Sequence, residues 1–307
     1  MSFASDCKDE LMTIKRNAIE NKALILGMLV SGSKIVENEF TFTSTNLPIS
    51  KYLIFLLNRV YKYQAEIEEN DLQSSNFLHK YEVNCRGALN IIEELEVTHF
   101  GEFKRQIKES QNLSSAYLCG TFLARGSVND PETTKYHFEI TLDDAKNAMF
   151  VQQIMNNYDL NAKIIKRRNK LVVYIKDAEK IVDVLRFIGA NKNCFHYEDV
   201  RIERDFNNSI NRIINCEVAN EQKTLSAANE QLKYIKYLEY NYPLEKLDPK
   251  ILTVMKVRLD NPEASLIELI EILKEEYGQS ISKPGLSHRF AKIKDIAIEH
   301  KRNKNND

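Results

Sequence analysis

Ala23-Leu24-Ile25-Leu26-Gly27-Met28-Leu29-Val30-Ser31-Gly32-Ser33 is a run too apolar to lie on a surface. It predicts a helix buried on most sides. Its glycines, Gly27 and Gly32, allow close backbone approach or a helix stop. A second run has the same build: Ala116-Tyr117-Leu118-Cys119-Gly120-Thr121-Phe122-Leu123-Ala124-Arg125-Gly126-Ser127. An offset of 93 residues carries Gly27 onto Gly120.

The flanks of the two runs also correspond. Ahead of the first, residues 8–20 place Leu11, Met12, Ile14, Ala18 and Ile19 at helical spacing, and Asn21 is a candidate cap. Glu37 to Thr43 alternates as a strand does, and Pro48 opens a helix carried by Tyr52, Leu53, Phe55, Leu56, Val60 and Tyr61. Strand candidates at 64–69 and 77–85 follow, then a helix near 87–95. Around the second run, Ser114-Ser115 offers a cap and Tyr136 to Thr141 reads as a strand. Asp143-Asp144 caps a helix through Met155. Asn161–Lys166 and Lys170–Ile175 form a hairpin around Arg167-Arg168-Asn169, and a helix runs from Asp177 to Ile188. Both halves read helix, strand, strand-helix, hairpin, helix, which predicts an internal duplication. The alternative is one α/β domain with an accidental echo.

Residues 203–240 turn polar and rich in Asn, with apolar Ile210, Ile213, Ile214, Val218 and Leu225, as expected of one or two linking helices. Tyr240-Asn241-Tyr242-Pro243 marks a boundary. Three helices are expected beyond it: Leu247 to Leu259, Ala264 to Tyr277, and one opening at Ser282-Lys283-Pro284 and reaching His300, before a polar tail at 301–307.

The 43 Lys+Arg and 44 Asp+Glu leave a net charge of −1, so a whole-chain basic footprint is absent. Charge is local instead. Residues 163–170 (KIIKRRNK) hold Lys163, Lys166, Arg167, Arg168 and Lys170 without an acid. Residues 283–304 hold seven basic side chains against Asp295 and Glu299, while 63–110 is rich in Glu. A local positive surface attracts phosphate through counterion release; the bland reading of each run is a solvated face. On the third C-terminal helix, Leu286, Phe290 and Ile293 share an inward face. Ser282, Lys283, Gly285, Ser287, His288, Arg289 and Lys292 fall near its first turns, where a recognition helix meets base edges and phosphates. A helical protein-interaction module is the competing reading.

The five cysteines are scattered without a C-x-x-C pair, and the opening MSFASDCKDELMTIKR is polar. Reduced thiols, a cytoplasmic location and no membrane partner are expected. The histidines His79, His99, His137 and His196 lack zinc-ligand spacing, and Cys194-Phe195-His196 falls short of a ligand set. No phosphate loop or nucleophile elbow occurs. Neither a metal nor another cofactor is expected.

The repeated glycine-bearing helices, each followed by a strand, resemble the LAGLIDADG homing-endonuclease fold. Taken with NSINRIINCEVANEQKT, DNPEASLIELIEIL and ISKPGLSHRFAKI, they resemble the WhiA family of bacterial regulators over residues 10–298. The resemblance implies an α+β fold: a pseudo-two-fold duplicated LAGLIDADG-like domain followed by an all-α helix-turn-helix domain. The expected bounds are 1–202 for the duplicated domain (repeats about 22–98 and 114–202), 203–243 for a helical linker, and 244–307 for the helix-turn-helix.

Homing endonucleases end each signature helix with a carboxylate that holds divalent metal for phosphodiester hydrolysis. Aligning the glycines puts Gly32 and Arg125 at those positions, and neither binds metal. Glu37 and Asp130, the nearest acids downstream, fall on a strand and a loop. Arg125 also departs from the small residue usual in the family. The resemblance therefore implies a non-enzymatic regulator without catalytic residues. It would bind double-stranded DNA on the nucleoid, in transcription, cell division and chromosome segregation. A scaffold binding a protein partner through the duplicated domain is the alternative, and an active endonuclease a more distant one.

Overall fold

The computed structural model describes residues 2–71, 79–133 and 135–304. The first repeat contains α1 (Phe3–Met12), α2 (Ala18–Gly32), β1 (Ser33–Val36), β2 (Glu39–Ser44), α3 (Leu47–Tyr61), β3 (Glu66–Asp71), β4 (His79–Cys85), α4 (Leu89–Glu94) and α5 (Glu102–Glu109). The second contains α6 (Gln111–Arg125), β5 (Gly126–Val128), β6 (Phe138–Leu142), α7 (Ala145–Asn157), β7 (Lys163–Arg167), β8 (Lys170–Ile175) and α8 (Ala178–Ile188). Beyond them lie α9 (Asn191–Asn241), a 3-10 turn at Leu244–Lys246, α10 (Pro249–Asp260), α11 (Leu266–Tyr277) and α12 (Lys283–Lys304).

The duplication is visible in the topology. The sheets run β1-β2-β4-β3 and β5-β6-β8-β7, all antiparallel. It is sharper at the glycines of α2 and α6. A Cβ on Gly27 would lie 2.2 Å from Tyr117 O and 2.9 Å from Thr121 N. One on Gly120 would lie 2.0 Å from Leu24 O and 3.0 Å from Met28 N. The 93-residue offset takes Leu24 onto Tyr117 and Met28 onto Thr121. Each glycine therefore meets the symmetry mate of what the other meets, and the two backbones touch across a local two-fold.

Inward side chains of both sheets close on this helix pair: Phe40, Phe42 and Val83 from one, Phe138, Ile140 and Val173 from the other. The chain divides into two compact units between Asp205 and Phe206, inside α9. The second unit has its own core, in which Leu269, Leu273, Leu286, Phe290 and Ile293 join Ile251, Val254 and Val257.

Several local expectations differ from the structure. Asn17, not Asn21, caps α2, in a capping box with Glu20; Asn21 is buried and donates to Arg16 O at 3.1 Å. The spacing over 8–20 belongs to two helices, α1 and the start of α2. Ser110 caps α6, while Ser114 and Ser115 lie inside it and donate to Ile107 O and Phe187 O, both at 2.6 Å. Glu37 is not on a strand: it turns the β1–β2 hairpin at φ 53°. Residues 203–240 lie within one continuous helix. Of the 77–85 strand candidate, residues 77 and 78 lie outside the described residues, as do 305–307 of the tail.

Candidate nucleic-acid interface

The C-terminal unit holds the helix-turn-helix. Ser265 and Glu268 form a capping box that starts α11, and Gly278 at φ 63° ends it in the left-handed conformation glycine favours. The chain turns through Gln279–Ser282 into α12. Ser282 Oγ accepts from Gly285 N at 3.3 Å, so this hydroxyl serves the helix start. Leu286, Phe290 and Ile293 are buried. That fixes which face is free: Lys283, Ser287, His288 and Lys292 are exposed. From Lys283 to Lys292 there is no acid.

Arg289 behaves differently. It is partly buried, and its Nη1 donates to Gln279 Oε1 at 3.0 Å in the turn between the helices. The guanidinium braces the motif, a role hidden from helical spacing because its partner lies across the turn. Lys294, nearby, pairs with Glu230 at 2.7 Å.

In the N-terminal unit the basic hairpin is exposed at its tip. Arg168 turns it at φ 57° beside Asn169. Lys163, Arg167 and Lys170 share the outward register of β7 and β8, while Lys166 falls on the register of Ile164. Lys170 also pairs with Asp143 at 3.5 Å. The duplication adds a feature that composition hides. Val83 and Val173 are equivalent through the shared topology, and they pair with Ile67 and Ile164. Glu66 then matches Lys163, Glu69 matches Lys166 and Asn70 matches Arg167. The edge strand of one sheet is acidic where its mate is basic. Two sheets of opposite charge are not equivalent tracks for a polyanion.

The signature-helix ends can be read atom by atom. A Cβ on Gly32 would lie 2.4 Å from Phe42 Cε2 and 3.3 Å from Ala124 Cβ, so the site is closed to a side chain unless Phe42 moves. Arg125 is partly buried, and its Nε donates to Ser31 O at 3.3 Å, near the C-terminal end of α2. A cation suits that end of a helix. Lys8 of α1 stands 5.5 Å from the Phe122 ring centre. Burial, with the Arg125 charge beside it, lowers its amine from 10.5 to about 8. Asp130 Oδ1 accepts from Glu132 N in its loop. Among the described residues no three or more His, Cys, Asp or Glu side chains gather in a way that could hold a metal ion.

Lys8 gives a first prediction. Its folded value lies below its unfolded one, so the unfolded chain holds the extra proton between about 8 and 10.5. The cost of burying the charge is full below that window and fades as pH rises through it. Lys8→Met should raise the thermal midpoint of the N-terminal unit at pH 7, with a gain that shrinks at pH 10. A lower midpoint at pH 7 would show that the amine makes a net attractive contact.

Residues 114–207 match the model of the WhiA LAGLIDADG-like domain, and residues 210–297 that of the WhiA C-terminal HTH domain. Proteins named probable cell division protein WhiA from Staphylococcus aureus strains JH9 and Newman are each 35% identical over 311 residues, covering 97% of this chain and 96% of theirs. The crystal structure of full-length DUF199/WhiA from Thermatoga maritima aligns with a TM-score of 0.62 at 22% identity, covering 97% of this chain and 99% of that one. The N-terminal LAGLIDADG domain of DUF199/WhiA aligns at 0.53 and 21%, over 61% of this chain and 90% of that one. With relatives matched along nearly their whole length and both domain models in sequence order, the chain belongs to the WhiA family.

Proposed function

We propose that this protein is a non-enzymatic DNA-binding regulator, a transcription factor acting in cell division and chromosome segregation on the nucleoid. One observation carries the reading: the exposed, acid-free opening of α12, held outward by the buried Leu286, Phe290 and Ile293. Lys283 and Lys292 contact phosphates, Ser287 and His288 meet base edges, and Ser282 and Gly285 set the start of the helix. Arg289 keeps the turn in shape and reaches DNA only by leaving Gln279. Lys163, Lys166, Arg167, Arg168 and Lys170 supply further phosphate contacts from the N-terminal unit. The relatives' name, cell division protein, agrees with this reading.

Gly32 and Arg125 support the loss of cleavage, because neither offers a carboxylate oxygen to a metal. Magnesium-dependent nicking of plasmid by the purified chain would show that cleavage is retained. The acidic edge of the first sheet favours a second reading, a scaffold whose duplicated domain docks a cationic protein.

The test is titration of short randomised duplexes at several salt concentrations. Binding should weaken as salt rises, and Lys283→Ala with Lys292→Ala should flatten the log–log slope by about 2, close to one unit per lost phosphate contact. An unchanged slope would remove the recognition helix from the interface. No binding to any duplex would leave the scaffold.

A further inference from the structure

The DNA-binding reading leaves one exposed surface without a task. Within the C-terminal unit, α9 is exposed on every side from Phe206 to Lys223. Its two faces differ in their main run of side chains, with Val218 falling beside Asn211 on the amide side and Asn220 beside Ile213 on the other. Phe206, Ile210 and Ile213 lie along one line, continued by Glu217 and Glu221 at the same spacing. On the opposite side, Asn208, Asn211, Asn215 and Gln222 follow steps of three, four and seven residues, with Arg212 and Lys223 alongside. From Phe206 to Lys223 the acids are confined to the first side.

This amide face is poorly explained as solvated surface. Asn is a weak helix former because its side chain competes for nearby backbone. A face needing only solubility is better served by Lys, Glu and Ala, with ion pairs four residues apart. Asn208, Asn211, Arg212, Asn215 and Lys223 make no side-chain hydrogen bond or ion pair among the described residues. Their donors and acceptors are free for a ligand.

We propose that this face of α9 is a second DNA-reading element, whose ligand is duplex DNA containing A·T pairs. The proposal rests on the DNA-binding reading above. A carboxamide both donates and accepts, and so matches adenine N7 and N6 in the major groove. Asn208 and Asn215 lie two turns apart, about 10.5 Å along the helix. That is close to the rise of about three base pairs. Arg212 and Lys223 are placed for flanking phosphates, and placing the acids on the far side keeps them from the backbone.

The test uses the full chain and selection from a pool of randomised duplexes. Three proteins are compared: the unsubstituted chain, Asn208→Ala/Asn211→Ala/Asn215→Ala, and Lys283→Ala/Lys292→Ala. Alanine favours helix, so circular dichroism should show unchanged or higher helical content in the triple variant. The unsubstituted chain should select a site that includes a run of A·T positions. The triple variant should lose that run and bind the selected duplex at least about tenfold more weakly, the equivalent of one bidentate contact. The lysine variant should keep the run and bind more weakly throughout. If the triple variant selects the same site with the same affinity, the inference falls while the DNA-binding reading stands. If the unsubstituted chain binds no duplex, both fall together.

Discussion

Alanine at Gly120 is expected to break the duplicated unit. The added Cβ would lie 2.0 Å from Leu24 O, and the atom in its way is backbone in the middle of α2. A flexible side chain could swing aside, but here two helix axes must separate. Overpacking a core costs about 1–3 kcal/mol where side chains can adjust. A backbone clash at the seam of two repeats belongs at or above the top of that range. Whole domains are stable by only about 5–15 kcal/mol. Gly120→Ala should therefore lower the thermal midpoint of the N-terminal unit by about 10 °C or prevent folding. Gly27→Ala should do nearly the same, because its Cβ would meet Tyr117 O at 2.2 Å. Gly87→Ala is the control: at φ 63° it meets nothing within 4 Å and bears only the left-handed strain, about 1 kcal/mol. Thermal unfolding of the full chain followed by circular dichroism compares them. Midpoints for Gly120→Ala and Gly27→Ala no lower than that of Gly87→Ala would refute the close approach of the helices.

The same glycines explain why the duplication is legible in the amino-acid order. A helix pair in backbone contact needs its small residue at one fixed height, so 93 residues separate Gly27 from Gly120 even where the neighbours differ. Strands with one buried face are legible for a related reason: Phe138, Ile140 and Leu142 alternate with polar residues because alternate side chains leave the core. Features that depend on partners far along the chain are not. Asn21 reads as a cap from its neighbours, yet its carboxamide is folded inward to Arg16 O. Glu37 fits an alternating strand until the hairpin demands a turn there. The helix α5 leaves little trace in the pattern, since only Lys104 and Ile107 of its eight residues are buried and its start is ordered by backbone N–H groups donating to Glu96.

At the candidate interface, exposure of Ser287, His288 and Lys292 follows from the helical period alone. The anchoring of Arg289 does not, because Gln279 lies ten residues back across a turn. Nor does the charge inversion between the sheets. It emerges only when the registers are superposed, since acid and base cancel in the total of −1.

Arg258 carries the other large effect. It is 2% exposed, the largest of the fully buried side chains, and no carboxylate is paired with it among the described residues. Its Nε donates to Gln231 Oε1 at 3.0 Å, and its Nη1 to Asn261 O at 3.2 Å and Ala264 O at 2.6 Å. The guanidinium carbon stands 5.5 Å from the Phe290 ring centre. One planar group thus ties α9 to the connection between α10 and α11 and lies over the inward face of α12. Arg258→Ala leaves two carbonyls and an amide without their donor and opens space against Phe290. A buried acceptor left unpaired costs about 1–3 kcal/mol, less where water enters. The sum expected is about 3 kcal/mol, a large share of what a small helical unit holds. Arg258→Lys keeps the charge but loses the fork that serves three acceptors at once, and should recover less than half. Urea unfolding of the C-terminal unit measures both, with duplex binding followed in parallel. Affinity should fall with the folded fraction and recover on cooling toward the temperature of maximum stability. If Arg258→Ala unfolds at the same urea concentration as the unsubstituted chain, the guanidinium is a passenger in that core, and the shape of the helix-turn-helix depends on apolar packing alone.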